Sequence, residues 1–319
     1  MKNLYFFAVL ACMLVMPSAF SQQIAVVSSN GTTNVKQTLE DAINAATDGC
    51  VIYMPGGGFA ISDEVKITKR VTIVGIGHTA RNSDNADGAT IINGNLFFNQ
   101  GSSGSTVMGC YISGSVVIAE DGVVDNMLVK LCNVNRIEIK NGGCSGTIAN
   151  QNYIRDGFSG GSSSDITVNN NILGYCNYVG SGVIKNNIFT NSYSLWSVVN
   201  NAIIEENIFR TYSYIHNGSN CQVMKNLVFD GTWGDDPISI NAGPEVVFKN
   251  VNGWAINPVS DFHFTDDYLS YQSQVGIYAG TGFSETNLPP VPYIVAKRID
   301  TETDAEGKLK VQIRVSAGE

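Results

Sequence analysis

Gly182-Val183-Ile184-Lys185-Asn186-Asn187-Ile188-Phe189 decides the fold, because the chain keeps rewriting it. Its skeleton is an apolar residue, any residue, Asn, any residue, and an apolar residue. The same skeleton reads Val124-Asp125-Asn126-Met127-Leu128, Val168-Asn169-Asn170-Asn171-Ile172 and Met224-Lys225-Asn226-Leu227-Val228, and, with the Asn one place later, Ile204-Glu205-Glu206-Asn207-Ile208. Looser copies sit at Ile148-Ala149-Asn150 and Phe248-Lys249-Asn250. Middle positions 126, 150, 170, 186, 206, 226 and 250 are spaced 24, 20, 16, 20, 20 and 24 residues apart. A short strand recurring at about 20 residues is the mark of a solenoid, in which each copy buries against its neighbour a face it cannot bury alone.

The residues between the copies select the kind of solenoid. There is no leucine framework and no helical three-and-four spacing. Apolar residues instead follow period two (Val183, Ile184, Ile188; Ile203, Ile204, Ile208) and are punctuated by Asn, Gly and Ser. Asn tolerates left-handed backbone in a turn, and Asn side chains stacked rung on rung can hydrogen-bond one another. The reading is an all-β chain, a parallel β-helix.

Residues 1–21 read as an export signal: Lys2, an apolar run Leu4–Met16, and Ala19-Phe20-Ser21 before a cleavage at Gln22. A lipoprotein signal at Val9-Leu10-Ala11-Cys12 is the second reading. The expected location is outside the cytoplasm: periplasmic, surface or secreted. The run is too short for a membrane span and no other segment offers a transmembrane anchor. Charged residues are 15% of the chain against a usual ~25%, and Gly is abundant at 33 copies, as Gly/Ser/Asn turns require. The net charge of −9 is spread thinly, which argues against a nucleic-acid partner. Cys50, Cys110, Cys132, Cys144, Cys176 and Cys221 remain in the mature chain; we read them as small buried residues, with disulfides as the alternative.

Asn34 to Ala46 reads as an amphipathic helix (about 35–47) with Asn34 as N-cap and Val35, Leu39, Ala42, Ile43 and Ala46 on one face. It would cap the open end of the solenoid. The solenoid, cap included, is expected over 22–283. After it, 284–319 reads as a Pro-stiffened segment and a β-hairpin packed on the solenoid, with strands Tyr293–Ala296 and Leu309–Val315.

The order Ala42-Ile43-Asn44-Ala45-Ala46, strand, Pro55-Gly56-Gly57-Gly58-Phe59, strand, Val71-Thr72-Ile73-Val74-Gly75-Ile76-Gly77 resembles the start of bacterial proteins of the pectate-lyase-like (pectin-lyase-like) superfamily. The Ile-x-Asn-Asn-Ile-Phe rungs and Ser260-Asp261-Phe262-His263-Phe264 with Val275-Gly276-Ile277-Tyr278-Ala279-Gly280 are similar to its later turns. The resemblance spans roughly 30–280. It implies a single-stranded, right-handed parallel β-helix and a polysaccharide partner, but no one activity, because that fold hosts lyases, hydrolases, esterases and adhesins.

Candidate site residues come from aligning the rungs. Aromatics recur on successive turns: Tyr175 and Tyr178, Tyr193 and Trp196, then Tyr212, Tyr214 and His216, then Trp233. Counting from each middle residue makes Thr190, Arg210 and Asp230 equivalent, with Arg155 and Asp156 two rungs below Arg210. Arg210 and Asp230 are the candidate catalytic pair. In a lyase Arg210, deprotonated, would be the base that takes a proton beside a uronate while Asp230 helps Asp235 and Asp236 hold calcium. In a hydrolase Asp230 would pair with Asp235 or Asp236 as the two carboxylates. Trp196, Tyr212, Tyr214, His216, Trp233 and Arg155 are candidate sugar contacts. Asp235 and Asp236 are candidate calcium ligands, although no cofactor is required. The Asn-Thr-Asp, Gly-His-Gly and Arg-Ile-Lys motifs of polygalacturonases are missing, as are the Asp-His and Arg-x-Pro-x-Arg segments of pectate lyases. Two expectations follow: a protein that binds and cleaves an acidic polysaccharide in the manner of a lyase, with glycoside hydrolysis as a further enzyme class, or a non-catalytic glycan-binding, adhesin or structural cell-surface β-helix.

Overall fold

A computed structural model describes residues 23–79, 88–195, 199–211, 218–255, 260–284, 288–290, 292–303 and 306–317. The chain is all-β, a parallel β-solenoid of about eight turns with only 7% helix. One sheet stacks nine parallel strands, from Cys50–Tyr53 through Gly182–Lys185 to Gln222–Met224. The other runs from Gly57–Ala60 through Ile188–Phe189 to Ile238–Ile240. Alternation puts one column of the first sheet inside: Ile52, Ile73, Val107, Val129, Ala149, Val168, Ile184 and Ile204 stack in register and are all buried. The second sheet contributes Ile154, Leu173, Phe189, Phe209 and Val228, with Phe189 and Phe209 stacked at 4.6 Å.

The corner between the two sheets carries the Asn ladder. Asn152, Asn171, Asn187, Asn207 and Asn226 are all 0% exposed. Each of the last four accepts, through Oδ1, the backbone N–H and the side-chain amide of the Asn one rung earlier, at 2.9–3.1 Å. Each of the five donates Nδ2–H to a strand carbonyl of an earlier rung, from Val129 for Asn152 to Ile204 for Asn226, at 2.7–2.9 Å. A buried carboxamide is tolerable only when both its ends are satisfied, and here they are. The ladder does not stop at Asn152: the Asn152 Oδ1 accepts from Cys132 N at 2.9 Å, the Cys132 thiol donates to Val107 O (3.7 Å) and Lys130 O (3.3 Å) much as the Asn amides do, and Cys110, stacked one rung earlier, donates to Met108 O (3.4 Å). Two thiols therefore complete a column of seven. Burial pushes both up, Cys132 to about 12. All six described cysteines are free, and all but Cys221 are buried.

The residue before each ladder Asn is left-handed: Gln151 (φ 57°), Asn170 (52°), Asn186 (55°), Glu206 (56°) and Lys225 (53°). That conformation turns the chain between sheets and favours Asn among non-Gly residues. The doubled Asn at 170–171 and 186–187 thus divides two tasks, an outward turn residue and an inward ladder residue.

Parallel stacking ends at Ile238–Ile240. The chain then doubles back as a return segment, residues 244–284, containing the antiparallel pair Phe248–Asn250 and Asp261–Phe264. It runs along the ladder corner: Gly276 N–H donates to Glu206 O (2.8 Å), Asn170 Nδ2 to Ile277 O and Ala279 O (2.8 and 3.0 Å), and Gln151 Nε2 to Gly282 O (2.5 Å). Its Phe248, Phe262, Phe264, Val275 and Ile277 cover Ile172, Ile188, Ile208 and Leu227, which face outward from the second sheet. This second core explains the apolar pairs Ile188-Phe189 and Ile208-Phe209: one residue faces in, the other lies under the return segment. Gly276 (φ 77°) is required because a Cβ there would run into Ile208.

Several expectations shift. The cap helix is Leu39–Ala45 with Thr38 as N-cap, whose Oγ1 accepts from Asp41 N at 3.0 Å. Thr33–Lys36, expected as its first turn with Asn34 as cap, is instead a strand paired with Ile24–Val27, and tertiary pairing overrides the helical pattern. Leu39, Ala42 and Ile43 are buried as expected, and Lys69 Nζ donates to the carbonyls of Ile43, Asn44 and Ala46, closing the helix end. Asn126 and Asn250 resemble rung residues but are not ladder members. The first sits in a separate left-handed turn and the second in the antiparallel pair of the return segment. The expected 22–283 span therefore holds both the solenoid and the segment laid along it. Pro292–Thr303 and Leu309–Ala317 pair as an antiparallel hairpin. The proposed export signal lies outside the described residues.

Asn187→Ala would strand the Asn171 N–H and the Val168 carbonyl in the core. We expect a loss of about 3 kcal/mol or more in urea unfolding, against under ~1 kcal/mol for Asn186→Gly, whose left-handed turn Gly adopts freely. Equal effects would contradict the division of tasks.

Candidate functional site

Beyond the second sheet, each rung bends away through a polar residue before the next turn. The rung after Ile208–Phe209 continues into Arg210 and Thr211; the next, after Leu227–Phe229, into Asp230; the last, Ile238–Ile240, into Asn241. There the chain leaves the stack, and Gly243, with Pro244 and Trp254 of the return segment, faces these rung ends across a cleft of about 520 Å³. Arg210, Thr211, Ser192, Asp230 and Asn241 supply polar lining, with Phe229 and Trp254 as apolar walls. That size falls in the range of ligand clefts, ~300–1,000 Å³. Trp254 is half-buried and meets Phe229 edge-on at 4.8 Å, which fixes the indole.

Arg210 and Asp230 thus share a cleft but not a stacked position. Register pairs Phe209 with Val228, so the residue above Arg210 is Phe229. The rung of Asn226 is offset because its left-handed residue is Lys225, and Asp230 (φ 56°) falls one place further along. Arg210 Nη1 donates to Thr190 O at 3.3 Å, so part of the guanidinium braces the rung below. Among the described ion pairs, Arg210 and Asp230 do not bond each other.

The other candidates disperse. Arg155 lies three rungs from Arg210, not two, and is a clamp: Nη1 donates to Asn133 Oδ1 (2.5 Å), Nη2 to Ile112 O and Ser113 O (2.8 and 2.9 Å), with the guanidinium 4.8 Å from the Tyr111 ring centre. Burial lowers its pKa from the ordinary arginine value. Trp233 does not join the cleft of Arg210 and Asp230. It packs edge-on to Phe209 (5.4 Å) at the end of the interior and lines a separate hollow of about 400 Å³ with Cys221 and Asp235. Asp236 lines a third hollow of about 440 Å³ with Glu206 and Lys225. The two proposed calcium ligands therefore face different hollows, and among the described residues no group of three or more His, Cys, Asp or Glu side chains is placed to hold a metal ion. Trp196, Tyr212, Tyr214 and His216 lie outside the described residues.

Sequence reasoning missed Trp254, which follows an Asn252-Gly253 turn in a segment without repeats. It also missed the cluster around Arg136. Arg136 Nε donates to Asp156 Oδ2 at 2.9 Å and Nη2 closes the same pair; the guanidinium lies 5.8 Å from the Tyr175 ring centre, and the Tyr175 hydroxyl reaches Asp156 at 3.5 Å. Burial, and then the Asp156 charge, push the Tyr175 phenol up to about 12.

Comparison of the chain with known protein families, with characterised proteins and with solved structures finds no match.

Because Tyr175 titrates higher folded than unfolded, its neutral form stabilises the fold below the ordinary phenol value of ~10, and that contribution fades as pH climbs from there toward about 12. Tyr175→Phe cannot lose it. The urea midpoint of Tyr175→Phe should gain on wild type between about pH 9 and about pH 11. A constant difference would contradict the shift.

Proposed function

We propose that this is an exported β-helix protein of the pectate-lyase-like kind that binds a polysaccharide in the cleft between its last rungs and the return segment. One observation carries the reading: a half-buried tryptophan, a cation, a carboxylate and short polar side chains face one another across a cleft on the flank of a solenoid. Aromatic rings offer an apolar face to sugar rings while keeping little conformational freedom to lose. Hydroxyls and amides at Ser192, Thr211 and Asn241 supply hydrogen-bond partners, and the Arg210 guanidinium suits the carboxylate of an acidic sugar.

A second reading, cleavage of the bound acidic glycan, is favoured by Arg210 and Asp230 facing the same cleft without neutralising each other. Proton abstraction beside a uronate carboxylate needs a base within hydrogen-bond reach and a positive charge to stabilise the developing anion. Non-catalytic binding needs neither.

The test is retention of the protein in affinity gels containing pectic, alginate, glycosaminoglycan or neutral polysaccharide, with and without calcium. An acidic polymer should retard wild type, and Trp254→Ala should weaken retention about tenfold, on the order of 1.4 kcal/mol. Trp233→Ala should lower stability instead and leave retention intact. New chain ends released by wild type but not by Arg210→Ala or Asp230→Ala would establish cleavage. No retention by any polymer would overturn the binding reading.

A further inference from the structure

The Arg136 cluster and the cleft lie on one continuous flank. Asp156 belongs to the strand Tyr153–Ser163, and Gly174, one rung on, is pressed between the Asp156 carbonyl and the Asn191 side chain, leaving no room for a Cβ. Ser192, the next residue, already lines the cleft. Tyr175 is seated by the same geometry. Its ring lies flat on Gly157, where a Cβ would come within 2.6–2.7 Å of three ring carbons. Tyr193, 51% exposed, projects from the loop that carries Asn191 and Ser192. The Arg136 and Asp156 side chains remain 37% and 35% exposed, so the pair is anchored by its neighbours yet open to solvent.

We infer that Arg136, Asp156 and Tyr175 form a second subsite for the same ligand, so that the ligand is an extended glycan chain lying along the solenoid axis. The inference rests on the cleft being a glycan site. Four stacked steps separate the strand of Asp156 from that of Asp230, roughly 19 Å at the ~4.8 Å spacing of paired strands. A disaccharide in the cleft falls short of that distance, whereas a hexasaccharide spans it. Guanidinium, carboxylate and phenol together offer donors and acceptors for the hydroxyls of a sugar. The pre-formed Arg136–Asp156 pair holds them in place, so binding orders little that is not ordered already.

The experiment titrates oligogalacturonides and alginate oligomers, each as disaccharide and hexasaccharide, into wild type, Tyr175→Ala, Tyr175→Phe and Trp254→Ala, with circular dichroism to show that each variant folds. Wild type should bind the hexasaccharide at least about tenfold more tightly than the disaccharide. Tyr175→Ala should erase that difference while disaccharide affinity stays unchanged, Tyr175→Phe should keep most of it, and Trp254→Ala should weaken both lengths. Equal affinity for the two lengths, or a silent Tyr175→Ala, overturns the second subsite and leaves the cleft standing. Loss of disaccharide binding in Tyr175→Ala with none in Trp254→Ala overturns the cleft as the primary site, and the extended track with it. Absence of binding by every oligomer overturns both.

Discussion

A buried carboxamide cannot be left half-satisfied, and that constraint governs the molecule. Asn152, Asn171, Asn187, Asn207 and Asn226 each take a donor and a carbonyl acceptor from the rung before, and all but the last also donate to the Asn of the rung after, so the rungs stack in one register. Slipping one rung by a residue would put an apolar side chain such as Ile172 or Ile188 in the column, or in the other direction the left-handed turn residue, and reverse the faces of its strands. Where the column passes from Asn to Cys132 and Cys110 the positions still stack, and the thiols donate to the carbonyls of Val107, Lys130 and Met108. The ladder therefore dictates which residues line up on the flank, and so which side chains border the cleft.

The second constraint is the apolar stripe that a parallel solenoid leaves on its outside. Ile172, Ile188, Ile208 and Leu227 are covered by residues 244–284, which also accept from Asn170 and Gln151 at the corner. The left-handed turns that make the ladder possible also present those outward side chains. Because the return segment starts where stacking ends, its first residues stand opposite the ends of the last rungs. A cleft with one wall from the repeat and one from outside it is the consequence.

The repeat was legible because Asn, β-branched residues and spacing all recur, and it led directly to a parallel β-helix with a ladder. The column lies one residue beyond the repeat's middle position at 170, 186 and 206 but on it at 226, because adjacent Asn170 and Asn171, or Asn186 and Asn187, satisfy the same pattern while facing opposite ways. That offset carried Asp230 into Arg210's position, when Phe229 holds it. The helix start was misplaced because Val35 fits a helical face equally well as it fits a strand, and only pairing with Ala25 decides. The return segment left no periodic trace: its aromatics contact rung residues as far back as Tyr153, which Phe283 meets edge-on, and local patterns do not encode such contacts. Trp254 was invisible for that reason, and Trp233, conspicuous as a surface aromatic in the sequence, turned inward onto Phe209.

The most direct test of a glycan site at the end of the solenoid is amide hydrogen exchange with and without polygalacturonate or alginate. The account predicts slowed exchange in peptides covering residues 208–211, 229–230 and 241–254, with residues 182–185 and 202–205 of the opposite sheet unchanged. Protection confined to that opposite sheet or to the hairpin 292–317, or no protection with either polymer, would contradict it.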